Sequence, residues 1–159
     1  MSLMAEGVQV TREIRAPADR LWEMVADVTR MGEWSPETES TQWLRGATAA
    51  RPGASFRGTN RNGTKRWKSV ATIVEADPGR VLRFRVKAGG LNVAEWSYQF
   101  EPIPAGCRVT ESWTDRRNPV LKLVSGRVTG VADRASHNRR GMEETLQRLA
   151  AAAEEPATP

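Results

Sequence analysis

Glu111 is the side chain in this sequence best placed for proton transfer. In the run Val109-Thr110-Glu111-Ser112-Trp113 the strand alternation puts it on the same side as Val109 and Trp113. A carboxyl group among aromatic and aliphatic neighbours is disfavoured as an anion, so its pKa rises toward the range where an acid or base is useful. Three roles are open to it: a structural ion pair, a polar contact to a bound ligand, and acid/base catalysis with Tyr98 or Asn138 orienting a carbonyl. His137 is the sole histidine. Helical phase places it about 180° from Leu146, opposite the stripe that carries Met142 and Leu149, so it reads as a surface residue. One histidine and one cysteine, Cys107, cannot make a standard zinc site, and no metal is expected. The chain has neither a Walker loop nor a dinucleotide-binding glycine pattern, so no cofactor is expected.

These residues must be positioned by strands. From Ser55 to Thr114 the chain reads as one antiparallel ribbon. Asn62-Gly63 is its strongest turn signal. Centring the first hairpin there sets Trp67 opposite Gly58 and Ser69 opposite Phe56. Carrying the pairing through Asp77-Pro78-Gly79 sets Phe84 beside Ala71 and Leu82 beside Ile73. Turns at Gly89-Gly90 and Pro104-Ala105-Gly106 extend the same face through Trp96, Tyr98 and Phe100 to Val109, Glu111 and Trp113. The ribbon thus gathers its aromatics and its mid-strand acid on one side, which is the material of a pocket. Packing against a covering helix is the plainer use of the same rings.

Outside the ribbon, Val8, Val10, Arg12 and Ile14 alternate with polar residues as a strand, and Pro17 opens a helix carrying Leu21, Trp22 and Val25. A short helical piece is expected over Thr29 to Trp34, a strand over Thr38 to Leu44 and a loop over Arg45 to Gly53. After Asn118-Pro119 the pattern turns helical, with Val128, Val131, Ala135, Met142, Leu146 and Leu149 on one side, although Gly126 and Gly130 weaken the case for continuity before Val131. The resulting order is strand, helices, six strands and a long helix, an α+β arrangement in which the terminal helix covers the apolar face of a curved sheet.

At 159 residues the chain is most simply one domain, spanning 4–153, with a frayed tail over 154–159. Met1-Ser2-Leu3 ahead of Met4 reads as a segment added for expression. There is no signal-like opening and no apolar run long enough for stable membrane insertion, and the lone cysteine suits a reducing, cytoplasmic setting. The net charge is +5, and basic residues Arg57, Arg61, Arg66, Lys68, Arg83, Arg85 and Lys87 share the side of the ribbon opposite Trp67. Single-strand binders combine such charge with exposed stacking rings, and here the rings point the other way, so a solvated face is expected and nucleic acid is not.

The sequence also resembles a known family. Glu13-Ile14-Arg15-Ala16-Pro17, the helix carrying Trp22, and Asp27 through Met31-Gly32-Glu33-Trp34-Ser35-Pro36-Glu37 resemble the opening of the SRPBCC (START-like) superfamily, in its polyketide cyclase/dehydrase-like branch. Glu75-Ala76-Asp77-Pro78-Gly79-Arg80, Trp96 through Pro102, Arg108 through Ser112, and the helix with His137-Asn138, Gly141-Met142 and Thr145-Leu146 continue the likeness from about Val8 to Ala153. The resemblance implies a helix-grip fold, a seven-stranded antiparallel sheet wrapped around a long C-terminal helix and enclosing an apolar cavity. It implies a small hydrophobic partner, aromatic or lipid-like, bound by Trp34 at the cavity entrance and by Trp67, Phe84, Trp96, Tyr98, Trp113, Asn138 and Met142. An enzyme acting on a polyketide-like substrate through Glu111 is the alternative. The resemblance further implies that the first strand neighbours the last, which would bring Arg12 within reach of Glu111 as an ion-pair partner.

Overall fold

The computed structural model describes residues 6–154. Met1-Ser2-Leu3 and all of the expected tail except Glu154 lie outside them. Glu154 ends the last helix, and its carboxylate accepts a hydrogen bond from the Arg15 amide at 2.8 Å.

Seven strands form one antiparallel sheet: β1 (Gly7–Ile14), β2 (Thr38–Trp43), β3 (Ser55–Asn62), β4 (Lys65–Asp77), β5 (Val81–Ala88), β6 (Leu91–Ile103) and β7 (Gly106–Asp115). Their spatial order is β1-β7-β6-β5-β4-β3-β2. The strands from β3 to β7 therefore make one continuous meander, and the first strand closes on the last. Helix α1 (Ala18–Ala26), a 3₁₀ turn (Val28–Arg30) and the short helix α2 (Met31–Trp34) carry the chain from one sheet edge to the other. Trp22 fixes that crossing by donating its indole N–H to the Val81 carbonyl at 2.8 Å.

The inward parity expected from the sequence is present for the ring-bearing residues, but the first hairpin sits two residues out of the expected register, and the second sits two out up to Ile73 and three out beyond it. The β3–β4 turn is Gly63-Thr64 rather than Asn62-Gly63, so Asn60 faces Trp67 and Phe56 faces Ala71. Positive φ falls on Gly63 and not on Asn62, which puts glycine at the first central position of the turn. On β4–β5, Ile73 faces Phe84 and Ala76 faces Leu82, with a bulge between Ile73 and Glu75. The bulge turns Glu75 outward, where it pairs with Arg83 at 3.3 Å. A shift of two residues keeps each side chain on its face, and only the β4 residues beyond the bulge change sides, so the aromatic surface survives the correction.

The terminal helical region is two helices. Helix α3 (Pro119–Thr129) starts on Asn118, whose side chain accepts from the Leu121 amide at 2.8 Å, and ends at Gly130 in the left-handed region at φ +71°. Helix α4 (Arg134–Glu154) then begins at Asp133, whose carboxylate accepts from the Ser136 amide and hydroxyl. The glycine that weakened the case for one helix is the break, and Val128 of the expected stripe is exposed as a consequence.

The buried face of α4 runs Asn138, Met142, Thr145, Leu146, Leu149, Ala150 and Ala153. Its last three turns pack with α1, Leu82 and Val109 into a dry core. Cys107 is fully buried there, at the start of β7 beside Ile14, and burial pushes its thiol pKa up. Toward its N-terminus α4 carries Asn138, Gly141 and Met142, and the space between helix and sheet opens.

Candidate functional site: an aromatic cavity with a buried acid

That opening is a cavity of about 750 Å³. The inner faces of β3 to β7 form its floor, α4 one wall and α3 another, and the Ser35-Pro36-Glu37 loop reaches its edge. Of the residues expected to contact a ligand, Trp67, Phe84, Trp96, Tyr98, Trp113, Asn138 and Met142 all line it. Trp34 does not. It is buried in the core with Arg30 stacked 4.7 Å from its ring, because α2 turns it inward under the crossing helices and away from the cavity mouth.

Glu111 also lines the cavity, and register explains how. On β6–β7, Trp96 faces Trp113, Tyr98 faces Glu111 and Phe100 faces Val109. The Tyr98 hydroxyl donates to Glu111 Oε2 at 2.8 Å, while Oε1 has no hydrogen-bond partner among the described residues. The expected neighbour Arg12 does not supply one. β1 does lie beside β7, but Arg12 stands opposite Val109, and its side chain is exposed. β1 is an edge strand, so a long cationic side chain can reach water instead of entering the aromatic interior.

Without a counter-charge, burial dominates. It raises the Glu111 pKa to about 8, against a smaller lowering by the Tyr98 hydrogen bond. Burial, then the adjacent acid, pushes the Tyr98 phenol well above its ordinary value. Near neutral pH the site is therefore a protonated carboxyl next to a neutral phenol. Such a group can donate a hydrogen bond or a proton to a carbonyl oxygen, which an ionised carboxylate cannot do.

A second polar group at the cavity edge was missed in the sequence. Glu37 accepts from Arg134 Nη1 at 2.9 Å and bonds His137 Nε2 at 2.7 Å, and Arg134 also donates to Asn138 Oδ1 at 3.3 Å. Burial opposes ionisation of Glu37, but hydrogen bonding to His137 and the charge of Arg134 outweigh it and hold the pKa below the ordinary value. His137 is thus half-buried at the cavity edge rather than on the open surface. Helical phase misplaced it because Glu37 comes from a loop with no periodicity to read. The Arg134 and Asn138 spacing of one helical turn was the available clue.

Four of the seven outer-face cations are matched to acids: Arg61 and Arg66 pair with Glu39, Arg83 with Glu75 and Glu95, and Arg85 with Glu95. None of the strongly exposed large apolar residues among those described is aromatic.

A sequence-family model for polyketide cyclase / dehydrase and lipid transport proteins matches residues 6–154. The chain belongs to this family. Its members share the SRPBCC architecture, and the sheet closed on a long terminal helix is the helix-grip fold. Comparison with curated proteins gives no sequence match. Among solved structures, this family member resembles the di-domain ARO/CYC StfQ of the steffimycin biosynthetic pathway (15% identity, TM-score 0.72), covering 95% of this chain and 51% of StfQ. It also resembles protein CV1439 from Chromobacterium violaceum (15% identity, TM-score 0.71), covering 94% and 99% of the two chains. The KanY protein is similar as well (17% identity, TM-score 0.70), with coverage of 96% and 100%. Identities this low establish the shared fold alone, and the site must be read from this chain's own residues.

Proposed function

We propose that this protein encloses an apolar, aromatic or lipid-like small molecule in its cavity and hydrogen-bonds a ligand oxygen through Glu111. The observation that carries the reading is a buried carboxyl, with one oxygen unpartnered and no counter-charge among the described residues, in the wall of a cavity lined by Trp67, Trp96 and Trp113. The volume falls in the range of small-molecule sites, roughly 300–1,000 Å³, and apolar walls with a few placed polar groups are the usual composition of such sites. StfQ, which shares this fold, is a di-domain ARO/CYC of the steffimycin biosynthetic pathway, and that is consistent with a small-molecule ligand here.

Native mass spectrometry of the purified protein, followed by titration with anthraquinone, tests this. A bound polycycle or acyl chain, or saturable quenching of the cavity tryptophans by anthraquinone, is the expected result. A protein that carries nothing and shows no saturable quenching overturns the reading.

The protonated state of Glu111 favours one further role. As an acid it would protonate a ketone oxygen as an enol carbon of the same substrate adds to that carbonyl and its π bond opens, the enol O–H proton then returning to the carboxylate, with Tyr98 holding the carboxyl in place. Glu111→Gln separates the two roles. A carrier keeps its ligand with a modest change in affinity, whereas turnover of a polyketide-like substrate should fall by about a hundredfold or more.

A further inference from the structure

Helix α3 turns its apolar side to solvent. Six large apolar residues are strongly exposed among those described, and four of them lie on this one helix: Val120 (72%), Leu123 (68%), Val124 (50%) and Val128 (47%). At 100° per residue they fall within about 140° of one another, so they form a single face. The helix stands at the cavity, since Leu121, Val124 and Val128 also line it. The charged residues on the helix itself are all cationic. From Arg116 to Ala132 there is no aspartate or glutamate, and Arg116, Arg117, Lys122 and Arg127 are all cationic. Arg116 and Arg117 are held by Glu95 and Asp115, and Lys122 stands 4.0 Å from Asp115. Arg127 lies within the apolar face itself, is exposed, and makes no ion pair among the described residues.

An outward apolar face that carries an arginine unpaired among the described residues and no acid suits the plane of an anionic bilayer. Valine and leucine side chains enter the acyl boundary, while lysine and arginine reach the phosphates. A second copy of the chain fits less well, because an isologous contact through this face would bring Arg127 against the same cation of the partner. We propose that α3 docks this protein peripherally on an anionic lipid surface, holding the cavity mouth against the membrane. Passage of an apolar ligand between bilayer and cavity rests on the function proposed above. The docking itself does not.

The test is co-sedimentation of the full chain, with no ligand added, with vesicles of phosphatidylcholine alone and of phosphatidylcholine containing phosphatidylglycerol. The protein should pellet with the anionic vesicles only, and less at high salt. Val120→Ser combined with Leu123→Ser should reduce partitioning about tenfold or more. Arg127→Gln should reduce it about fivefold, equivalent to about 1 kcal/mol, while Lys122→Gln, on the opposite side of the helix beside Asp115, should leave it nearly unchanged. All four side chains are exposed, so the variants should melt as the parent does. The proposal is overturned if the parent stays in the supernatant with anionic vesicles, or if Val120→Ser/Leu123→Ser pellets equally well. A homodimer abolished by the same double change would overturn it too. Anthraquinone binding measured without vesicles reports on the cavity alone, so failure of either idea leaves the other standing.

Discussion

At the scale of the residue, Glu111 should act as a pH-dependent burden on stability. Its folded pKa of about 8 lies above the ordinary value of 4.5, so folding takes up a proton between those two pH values. Below about pH 4.5 both states are protonated and the penalty vanishes. It grows as pH rises, reaching about 3 kcal/mol at pH 7, and levels off above pH 8. Glu111→Gln should therefore be more stable than the parent by a margin that widens from pH 5 to pH 8, measured by denaturant midpoints. A margin independent of pH would mean that the carboxyl is not buried in its neutral form. Tyr98→Phe acts oppositely on the same group. It deletes the one hydrogen bond that favours the anion, so the carboxyl pKa should rise further, visible by carbon NMR titration, with about 1–3 kcal/mol lost at alkaline pH.

At the scale of the element, two glycines at chain reversals should respond differently to alanine. A Cβ at Gly106, φ +148°, would stand 2.3 Å from the Ile14 carbonyl oxygen and 2.8 Å from the Ala16 nitrogen. Both are backbone atoms that cannot turn aside, so Gly106→Ala should cost about 3 kcal/mol or more and loosen β1 from β7. A Cβ at Gly130 would meet the Lys65 Cγ at 3.4 Å, a flexible neighbour, leaving mainly the penalty of left-handed backbone, about 1 kcal/mol. Thermal melts of the two variants would rank them, and equal losses would contradict the contact argument. The same elements show what a sequence can reveal. Which face a strand residue occupies has a period of two, so the sides of Trp67, Trp96 and Glu111 were legible without coordinates. Register depends on whether the turn is Asn62-Gly63 or Gly63-Thr64, and both fit the composition. The break at Gly130 was legible as a doubt about continuity. The withdrawal of Trp34 into the core was not, because it depends on how the crossing from β1 to β2 packs. Nor was the joining of Glu37 to Arg134 and His137, which lie 97 and 100 residues away in the sequence.

At the scale of the whole molecule, the dry core and the cavity divide α4 between them. The leucine and alanine turns hold the fold while the Asn138-to-Met142 turn leaves space, so ligand occupancy should add stability without rearranging the sheet. A ligand at a hundred times its dissociation constant should add about 2.7 kcal/mol, read as a rise in melting temperature with the far-ultraviolet circular dichroism unchanged. Cys107 offers an independent view of that coupling. As the only sulfhydryl in the chain, it is sealed where the first and last strands meet. A maleimide dye can reach it only when those strands part, so the labelling rate becomes a clock for opening of the closed sheet edge. Slower ticking with the cavity filled would show that an occupant on one side of the molecule tightens a seam on the other.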